Sequence, residues 1–330
     1  MRKSCLLSDM PVLSRLRATL IGAVILCGSV IVLPHEAMAA EACEAHLIGE
    51  APLRNDFGFL SVPVRPGGPA VSMVADTGSE GSLISPAVVR ELNFPPDPHI
   101  RTMVSGTGGV AGVVPNVIVP DLEIGTLRTG PVSVPVGDLP SRPEIHPPVR
   151  GLLGADILLR HDVSFDPEER MIRFWHVPEG CAAFVPPGRW ERIPAEFSGH
   201  RVVIPVRVDG HVIRALVDSG ARSRILSVVA AEALGVTQER LARDPGGITS
   251  GIDGREKSYH WHRFSSLSVG SEVEKAPVLT VAPLAEDFGI LLGADWFAVH
   301  HVWISRRAGA LFFRKAESVR SDGDSRKRVR

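Results

Sequence analysis

The sequence predicts an all-β protein that contains two copies of one domain. Its 330 residues suffice for two domains of ordinary size, each with its own core. The 32 glycines and 27 prolines, with only 5% aromatic residues, indicate many turns and short strands. Three short sequence blocks also recur in the same order, which is typical of an internal duplication.

Composition also limits the partners that the sequence predicts. The hydrophobic fraction of 44% and the charged fraction of 22% are those of a globular protein. The formal net charge of −1 gives no indication of a nucleic-acid partner, because nucleic-acid-binding domains carry a clear basic excess. We therefore expect no nucleic acid among the ligands.

The three recurring blocks keep nearly constant spacing. VADTGS at 74–79 returns as LVDSGA at 216–221, and SGTGG at 105–109 returns as SGIDG at 250–254. LLGAD at 152–156 returns unchanged at 291–295. Since the offsets between copies differ by only a few residues, the blocks mark equivalent elements of two tandem domains.

The first block has a chemistry of its own. In both copies an apolar run ends in an aspartate, followed by a small hydroxyl residue and a glycine. A strand that carries a carboxylate into a tight turn has this pattern, because glycine adopts backbone angles closed to other residues. The residues concerned are Asp76, Thr77 and Gly78 in the first copy and Asp218, Ser219 and Gly220 in the second.

With these blocks in this order, residues 55–315 resemble the aspartic proteases. The short lobes resemble the retropepsin branch, here with both lobes in one chain. The resemblance implies a two-lobed acid-protease β-barrel fold of the retropepsin or pepsin type, with one short helix per lobe. It also implies that Asp76 and Asp218 meet as a catalytic pair, and that Thr77 and Ser219 hydrogen-bond across the lobes.

The N-terminal segment 1–39 reads as a signal peptide. Arg15 and Arg17 precede an apolar run at 18–33, and Ala39 ends a small-x-small cleavage site. We therefore expect a periplasmic or secreted protein that meets the membrane only through this signal. A membrane anchor that stays attached is the alternative interpretation.

The remaining chain divides into four segments. In each lobe a predicted hairpin leads into the strand that ends at the aspartate. A short helix is predicted after the aspartate turn, with Ser85 as its N-cap in the first lobe and Ser227 in the second. Prolines and glycines mark the linker. The segments are a first lobe at 40–176, an interlobe linker at 177–196, a second lobe at 197–314 and a disordered basic tail at 315–330.

The second and third blocks have expected positions around the pair. Glycine-rich hairpin tips suit a flap that closes over a peptide, although an ordinary hairpin turn would have the same pattern. The resemblance places the LLG segments behind the catalytic turns. The expected flap residues are Gly106, Thr107 and Gly108, then Gly251, Ile252 and Asp253; the glycines behind the pair are Gly154 and Gly293.

The resemblance implies peptide-bond hydrolysis by a water molecule, because two close carboxyls share one proton and act as acid and base. It implies no cofactor and no metal, a peptide or protein substrate, and a monomer, because both halves of the cleft lie in one chain. The alternative function is a catalytically silent peptide-binding module with the same cleft. The first flap lacks a tyrosine, since the only tyrosine is Tyr259.

Other chemistries stay open as weaker alternatives. His260 and His262, or His300 with His301, would be the starting points for a metal site, and Ser79 or Ser219 for a nucleophile. Arg222 and Arg224 would favour an ionised Asp218 if they pointed towards it. Their solvation is the more ordinary arrangement.

Two cysteines remain after removal of the signal, Cys43 and Cys181. In an exported protein such a pair predicts one disulfide between them. Two separate buried thiols are the alternative.

Overall fold

The computed structural model describes residues 43–106, 109–139, 148–250, 256–284 and 288–317. The predicted signal peptide lies outside these residues, as does the tail from residue 318 onwards. No helix in these ranges combines the length and apolar composition needed to cross a bilayer.

The first lobe is built from short strands with two short helices. Its elements are β1 (His46–Pro52), β2 (Arg54–Asp56), β3 (Phe59–Arg65), β4 (Val71–Ala75), β5 (Leu83–Ile84), α1 (Pro86–Leu92), β6 (Pro96–Gly106), β7 (Gly109–Val119), β8 (Leu122–Ile124), β9 (Leu127–Thr129), β10 (Val132–Pro135), β11 (Val149–Leu153), α2 (Ala155–Leu158), β12 (Asp162–Asp166) and β13 (Met171–His176).

The second lobe repeats this plan and adds one helix. Its elements are β14 (Glu191–Pro194), β15 (Glu196–Ser198), β16 (Arg201–Val208), β17 (His211–Val217), β18 (Ile225–Ser227), α3 (Val228–Ala233), α4 (Gln238–Leu241), β19 (Gly246–Ser250), β20 (Glu256–Arg263), β21 (Ser266–Val269), β22 (Glu272–Lys275), β23 (Val278–Ala282), β24 (Ile290–Leu292), α5 (Ala294–Phe297), β25 (His300–Ser305) and β26 (Ala310–Lys315).

The two lobes have the same strand order, which confirms the all-β duplication. In the second lobe the sheet runs β19-β20-β23-β18-β24-β17-β16-β21-β22, with β15 on β16. In the first lobe β6-β7-β10 and β5-β11-β4-β3-β8-β9 follow the same sequence, with β2 on β3. One parallel bridge between Ile84 and Val136 joins those two first-lobe sheets.

The helix starts follow the expected caps. Ser85 Oγ accepts a hydrogen bond from the Val88 N–H at 3.5 Å, and Ser227 Oγ accepts one from the Ala230 N–H at 3.0 Å. The expectation of one helix per lobe is too low. Four-residue helices begin directly after Gly154 and Gly293, and such short segments carry too few residues for helical periodicity to be seen in the sequence.

A six-stranded sheet contains strands from both lobes. Its order is β1-β13-β12-β25-β26-β14, so that β12 of the first lobe pairs with β25 of the second. In this central pair Val163 lies opposite Ile304, and Phe165 lies opposite Val302. The ring of Phe165 also packs edge-on against that of Phe297, with centroids 4.9 Å apart. The two lobes therefore share a continuous core.

The interlobe linker is shorter than the predicted range 177–196. Residues Glu191–Pro194 form β14, which pairs with β26 and buries Ile193 opposite Leu311. This strand was not predicted, because it is only four residues long and directly follows a segment rich in proline and glycine.

The segment 177–190, which precedes β14, packs over the six-stranded sheet. Val177, Cys181 and Phe184 are buried against Trp303 and Phe312, and form a small separate core. Cys181 forms a disulfide with Cys43, the pairing that the sequence predicts, with 5.6 Å between the Cα atoms. The bond joins the start of the described chain to the linker.

Candidate active site

The structure places Asp76 and Asp218 at equivalent positions, each directly after a central strand. Asp76 follows β4, and its N–H donates to the Leu153 carbonyl at 2.9 Å. Asp218 follows β17, and its N–H donates to the Leu292 carbonyl at 3.0 Å. The parallel strands β11 and β24, which carry the LLG blocks, thus hold the start of each aspartate turn.

The hydroxyl residues next to the aspartates link the two lobes. Thr77 Oγ1 donates to the Val217 carbonyl at 2.7 Å and accepts from the Ser219 N–H at 3.0 Å. Ser219 Oγ donates to the Ala75 carbonyl at 2.7 Å and accepts from the Thr77 N–H at 3.0 Å. Both residues are fully buried, so this reciprocal set of four hydrogen bonds fixes one aspartate turn relative to the other.

Each carboxyl is also held by its own turn. Asp76 Oδ1 accepts hydrogen bonds from the N–H groups two and three residues further on, at 3.0 and 2.9 Å. Asp218 Oδ1 accepts the equivalent pair, both at 3.0 Å. The four donors are Gly78, Ser79, Gly220 and Ala221. These backbone N–H groups orient both carboxyls within their own turns.

The glycines of the two turns lie against the carboxyl of the opposite lobe. A Cβ on Gly78 would lie 2.3 Å from Asp218 Cγ, and a Cβ on Gly220 would lie 2.3 Å from Asp76 Cγ. Both distances are far below van der Waals contact, so a side chain at either position would displace the other lobe's aspartate. The sequence predicts a tight turn at these glycines, but it does not show that they also lie against the opposite carboxyl.

Asp218 has a raised pKa. Burial is the main cause, since only 7% of the residue is exposed, and the charge of Asp76 is the second. A hydrogen bond with Asp76 raises the pKa further, whereas the N–H groups of Gly220 and Ala221 oppose the increase. The pair therefore holds a proton at pH values at which an isolated carboxyl is ionised.

The two arginines near Asp218 have other partners. The Arg222 guanidinium lies over the Phe59 ring of the first lobe, 5.1 Å from its centroid. Arg224 Nε donates to Asp295 Oδ2 at 2.9 Å, and its Nη1 pairs with Glu274. The main partners of Arg222 and Arg224 are therefore residues other than Asp218.

The close approach expected at the glycines behind the pair is present. A Cβ on Gly154 would lie 2.4 Å from the Gly81 carbonyl oxygen, and one on Gly293 would lie 2.2 Å from that of Ser223. Ser82 was not predicted as a site residue. Its Oγ accepts a hydrogen bond from the Gly154 N–H at 2.9 Å and donates one to an aspartate carboxylate in α2.

Two hairpins carry the predicted flaps. In the first lobe β6 and β7 pair along eleven-residue strands as far as Gly106 and Gly109, and in the second β19 and β20 pair up to Ser250 and Glu256. The remaining flap residues, Thr107, Gly108, Gly251, Ile252 and Asp253, lie outside the described residues. The role of these tips stays a prediction.

The alternative chemistries find little support at these positions. His262 Nδ1 lies 2.5 Å from Asp244 Oδ2, and His300 is bonded to the Trp296 carbonyl and to Glu272. The hydroxyls of both candidate nucleophiles, Ser79 and Ser219, donate to backbone carbonyls. In the described part of the chain the grouping with metal-ligating geometry contains one of the candidate histidines, His301, together with Asp166 and Glu168.

Comparison with known families agrees with this geometry. The family model described as aspartyl protease matches residues 62–157 and 204–296, which together make up more than half of the chain. Each match contains one of the two aspartates with its LLG strand. A search of curated proteins finds no match.

Proposed function

The chain belongs to the aspartyl protease family, and we propose that it is an exported endopeptidase that cleaves peptide bonds with a water molecule activated between Asp76 and Asp218. The observation that carries the proposal is the mutual contact of the two aspartate turns. Each glycine lies against the opposite carboxyl, and Thr77 and Ser219 hold the turns together. Such an arrangement supports a shared proton at one point of the cleft.

The raised pKa of Asp218 supports a division of roles. The proton belongs to the coupled pair, and in the mechanism that we propose the cycle starts with Asp218 protonated and Asp76 ionised. Asp76 accepts a proton from the water as its oxygen attacks the peptide carbonyl, and Asp218 donates its proton to the carbonyl oxygen. As the tetrahedral intermediate breaks down, Asp76 returns its proton to the leaving nitrogen. One hydroxyl of the intermediate then gives its proton back to Asp218, so the pair ends as it began.

The substrate that we propose is an extended peptide or an unfolded protein segment, bound by a single chain that supplies both halves of the cleft. Apolar side chains on the flap hairpins support this, since Met103 and Val113 are paired and 63% and 52% exposed. The Cys43–Cys181 disulfide supports location in an oxidising compartment, the periplasm or the exterior.

Digestion of a peptide library by the purified mature chain, beginning at residue 40, tests the proposal over pH 3 to 8. We expect cleavage by the wild type and a loss of at least about 10²–10⁴-fold for Asp76→Asn, the range typical of a general acid or base. Asp121→Asn removes a carboxylate from a surface ion pair with Arg128, and this matched control should cleave normally. Peptide binding without any cleavage by the wild type would instead support the silent binding module.

A further inference from the structure

We propose that Asp166, Glu168 and His301 form a binding site for one divalent transition-metal ion between the two lobes. The two carboxylates belong to the end of β12 and the turn after it, in the first lobe, and the imidazole belongs to β25 of the second lobe. One potential ligand atom from each residue lies within 4.8 Å of the others. One imidazole and two carboxylates form a donor set that suits Zn²⁺ and its neighbours.

His301 carries the argument. The residue is only 4% exposed, and its Nε2 is buried without a hydrogen-bond partner among the described residues. Nε2 nevertheless lies 3.2 Å from Glu168 Oε2, and Nδ1 lies 3.5 Å from Asp166 Oδ1. With Nε2 as the ligand atom, its distance from Glu168 Oε2 is close to the roughly 3.3–3.5 Å between two ligands bound about 2.0–2.2 Å from one tetrahedral ion. Asp166 Oδ1 lies nearer the other ring nitrogen, and a ligand oxygen of Asp166 still falls within the 4.8 Å limit of the cluster. A buried polar atom without a partner needs such an explanation.

The charge around His301 also favours a cation. Arg173 forms ion pairs with Glu50, Asp166 and Glu169, and Glu168 adds a fourth carboxylate within reach of the imidazole. Three carboxylates therefore share one arginine, and Glu168 adds a fourth negative charge beside the imidazole. A divalent ion would offset most of the remaining negative charge.

The carboxyl of Asp166 is already oriented by its own contacts. Oδ1 accepts from the N–H groups of Glu168 and Glu169 at 3.1 and 2.9 Å, and Oδ2 accepts from Arg173 at 3.1 Å. Hydrogen-bonded carboxylates are usual among metal ligands, because the outer contacts fix their direction. From the neighbouring strand β26, Arg314 lies opposite His301, but its guanidinium stacks on the Trp190 ring at 5.4 Å.

The duplication predicts only one such site per molecule. The residue of the first lobe equivalent to His301 is Asp162, and the residue of the second lobe equivalent to Asp166 is Ser305. Asp162 accepts a hydrogen bond from Trp303 Nε1 at 3.2 Å. The equivalent positions thus carry a carboxyl hydrogen-bonded to an indole N–H and no imidazole, and a one-to-one stoichiometry follows.

Calorimetric titration of the EDTA-treated, dialysed mature chain with ZnCl₂ at pH 7 tests the site. We expect saturable one-to-one binding by the wild type, and binding weakened at least tenfold in His301→Gln and in Glu168→Gln. Glu169→Gln is the matched control, because this neighbouring glutamate pairs with Arg173 and lies outside the cluster. It should bind zinc like the wild type. At the same zinc concentration, zinc should also raise the unfolding temperature of the wild type more than that of Glu168→Gln.

If the His301→Gln variant fails to fold, Glu168→Gln still tests the site. The Glu168 side chain is 29% exposed, so this substitution disturbs the packing less. The site is refuted if the wild type shows no saturable binding, or if Glu168→Gln binds zinc as tightly as the wild type. Loss of the same binding in Asp218→Asn would also refute it, because zinc would then be held by the aspartate pair.

Discussion

Gly78 and Asp218 belong to different lobes, yet there is no room for a single methyl group between them. A Cβ on Gly78 would lie 2.3 Å from Asp218 Cγ and 2.4 Å from its Oδ1. The glycine therefore determines how closely the two aspartate turns approach each other. Its backbone N–H donates a hydrogen bond to the carboxyl of Asp76, and its lack of a side chain leaves room for the carboxyl of Asp218.

Gly78→Ala should consequently abolish hydrolysis and lower the free energy of unfolding by about 1–3 kcal/mol, the usual range for overpacking. Gly81→Ala is the matched control, because a Cβ there would meet nothing within 4 Å. Peptide cleavage and urea unfolding measure the two effects. An active Gly78→Ala variant would contradict the close approach of the two turns.

The two aspartates should behave as one functional unit. Asp76→Asn and Asp218→Asn should each abolish cleavage, and the double variant should be no slower than either single one, because the shared proton is already lost. Rate measurements on the three variants, with circular dichroism as a check of folding, provide the test. Additive losses would mean that the carboxyls act independently.

The stability of the wild type should depend on the ionisation of Asp218. Because its pKa in the folded protein is raised above the ordinary 3.8, the folded state holds this proton more tightly than the unfolded chain. The contribution of this group to stability is complete below 3.8 and is lost as the pH rises through the raised pKa.

Asp218→Asn cannot ionise at this position, so its unfolding temperature should fall less between pH 4 and pH 7 than that of the wild type. Thermal unfolding at a series of pH values measures the difference, and Asp121→Asn should follow the wild-type curve. Parallel curves for the wild type and Asp218→Asn would exclude a raised pKa.

The disulfide should contribute to stability more than to turnover. It closes a loop with a sequence separation of 138, for which the chain-entropy relation gives about 5 kcal/mol. Cys181→Ser should lower the unfolding temperature and leave the cleavage rate per folded molecule unchanged. The double Cys43→Ser and Cys181→Ser variant should match the single one. Mass spectrometry of the unreduced protein should find no free thiol in the mature wild type.

The active unit should be a monomer. Thr77 and Ser219 already join two lobes of one chain, so no second copy is needed to complete the pair. Specific activity should remain constant on dilution, and sedimentation should give the mass of one mature chain. Activity that falls with dilution would indicate that a second copy takes part.

The repeated motif made the aspartate turns predictable, because the carboxylate, the hydroxyl and the glycine recur together at Asp76 and Asp218. The caps at Ser85 and Ser227 were predictable for a similar reason, since the capping interaction is local. The pairing of β12 with β25 was not. Every residue of β25 is buried, and a uniformly buried strand carries no pattern that identifies its neighbour.

Contacts between side chains that are distant in the chain could not be predicted from the sequence either. His301 was a candidate ligand in the sequence, but Glu168 was not, and only the shared sheet brings the two side chains together. The short helices α2 and α5 were missed because four residues barely complete one turn.

The strands of the six-stranded sheet are also synthesised at different times. Synthesis from the N-terminus produces β1, β12 and β13 long before β25, the strand that lies beside β12 in the finished sheet. Until β25 emerges, one edge of β12 has unpaired N–H and C=O groups, a surface that invites mispairing. The sheet edge at β12 is thus completed only by a strand of the second lobe, and the loss of β25 and β26 from the C-terminus would leave the first lobe with an open strand edge.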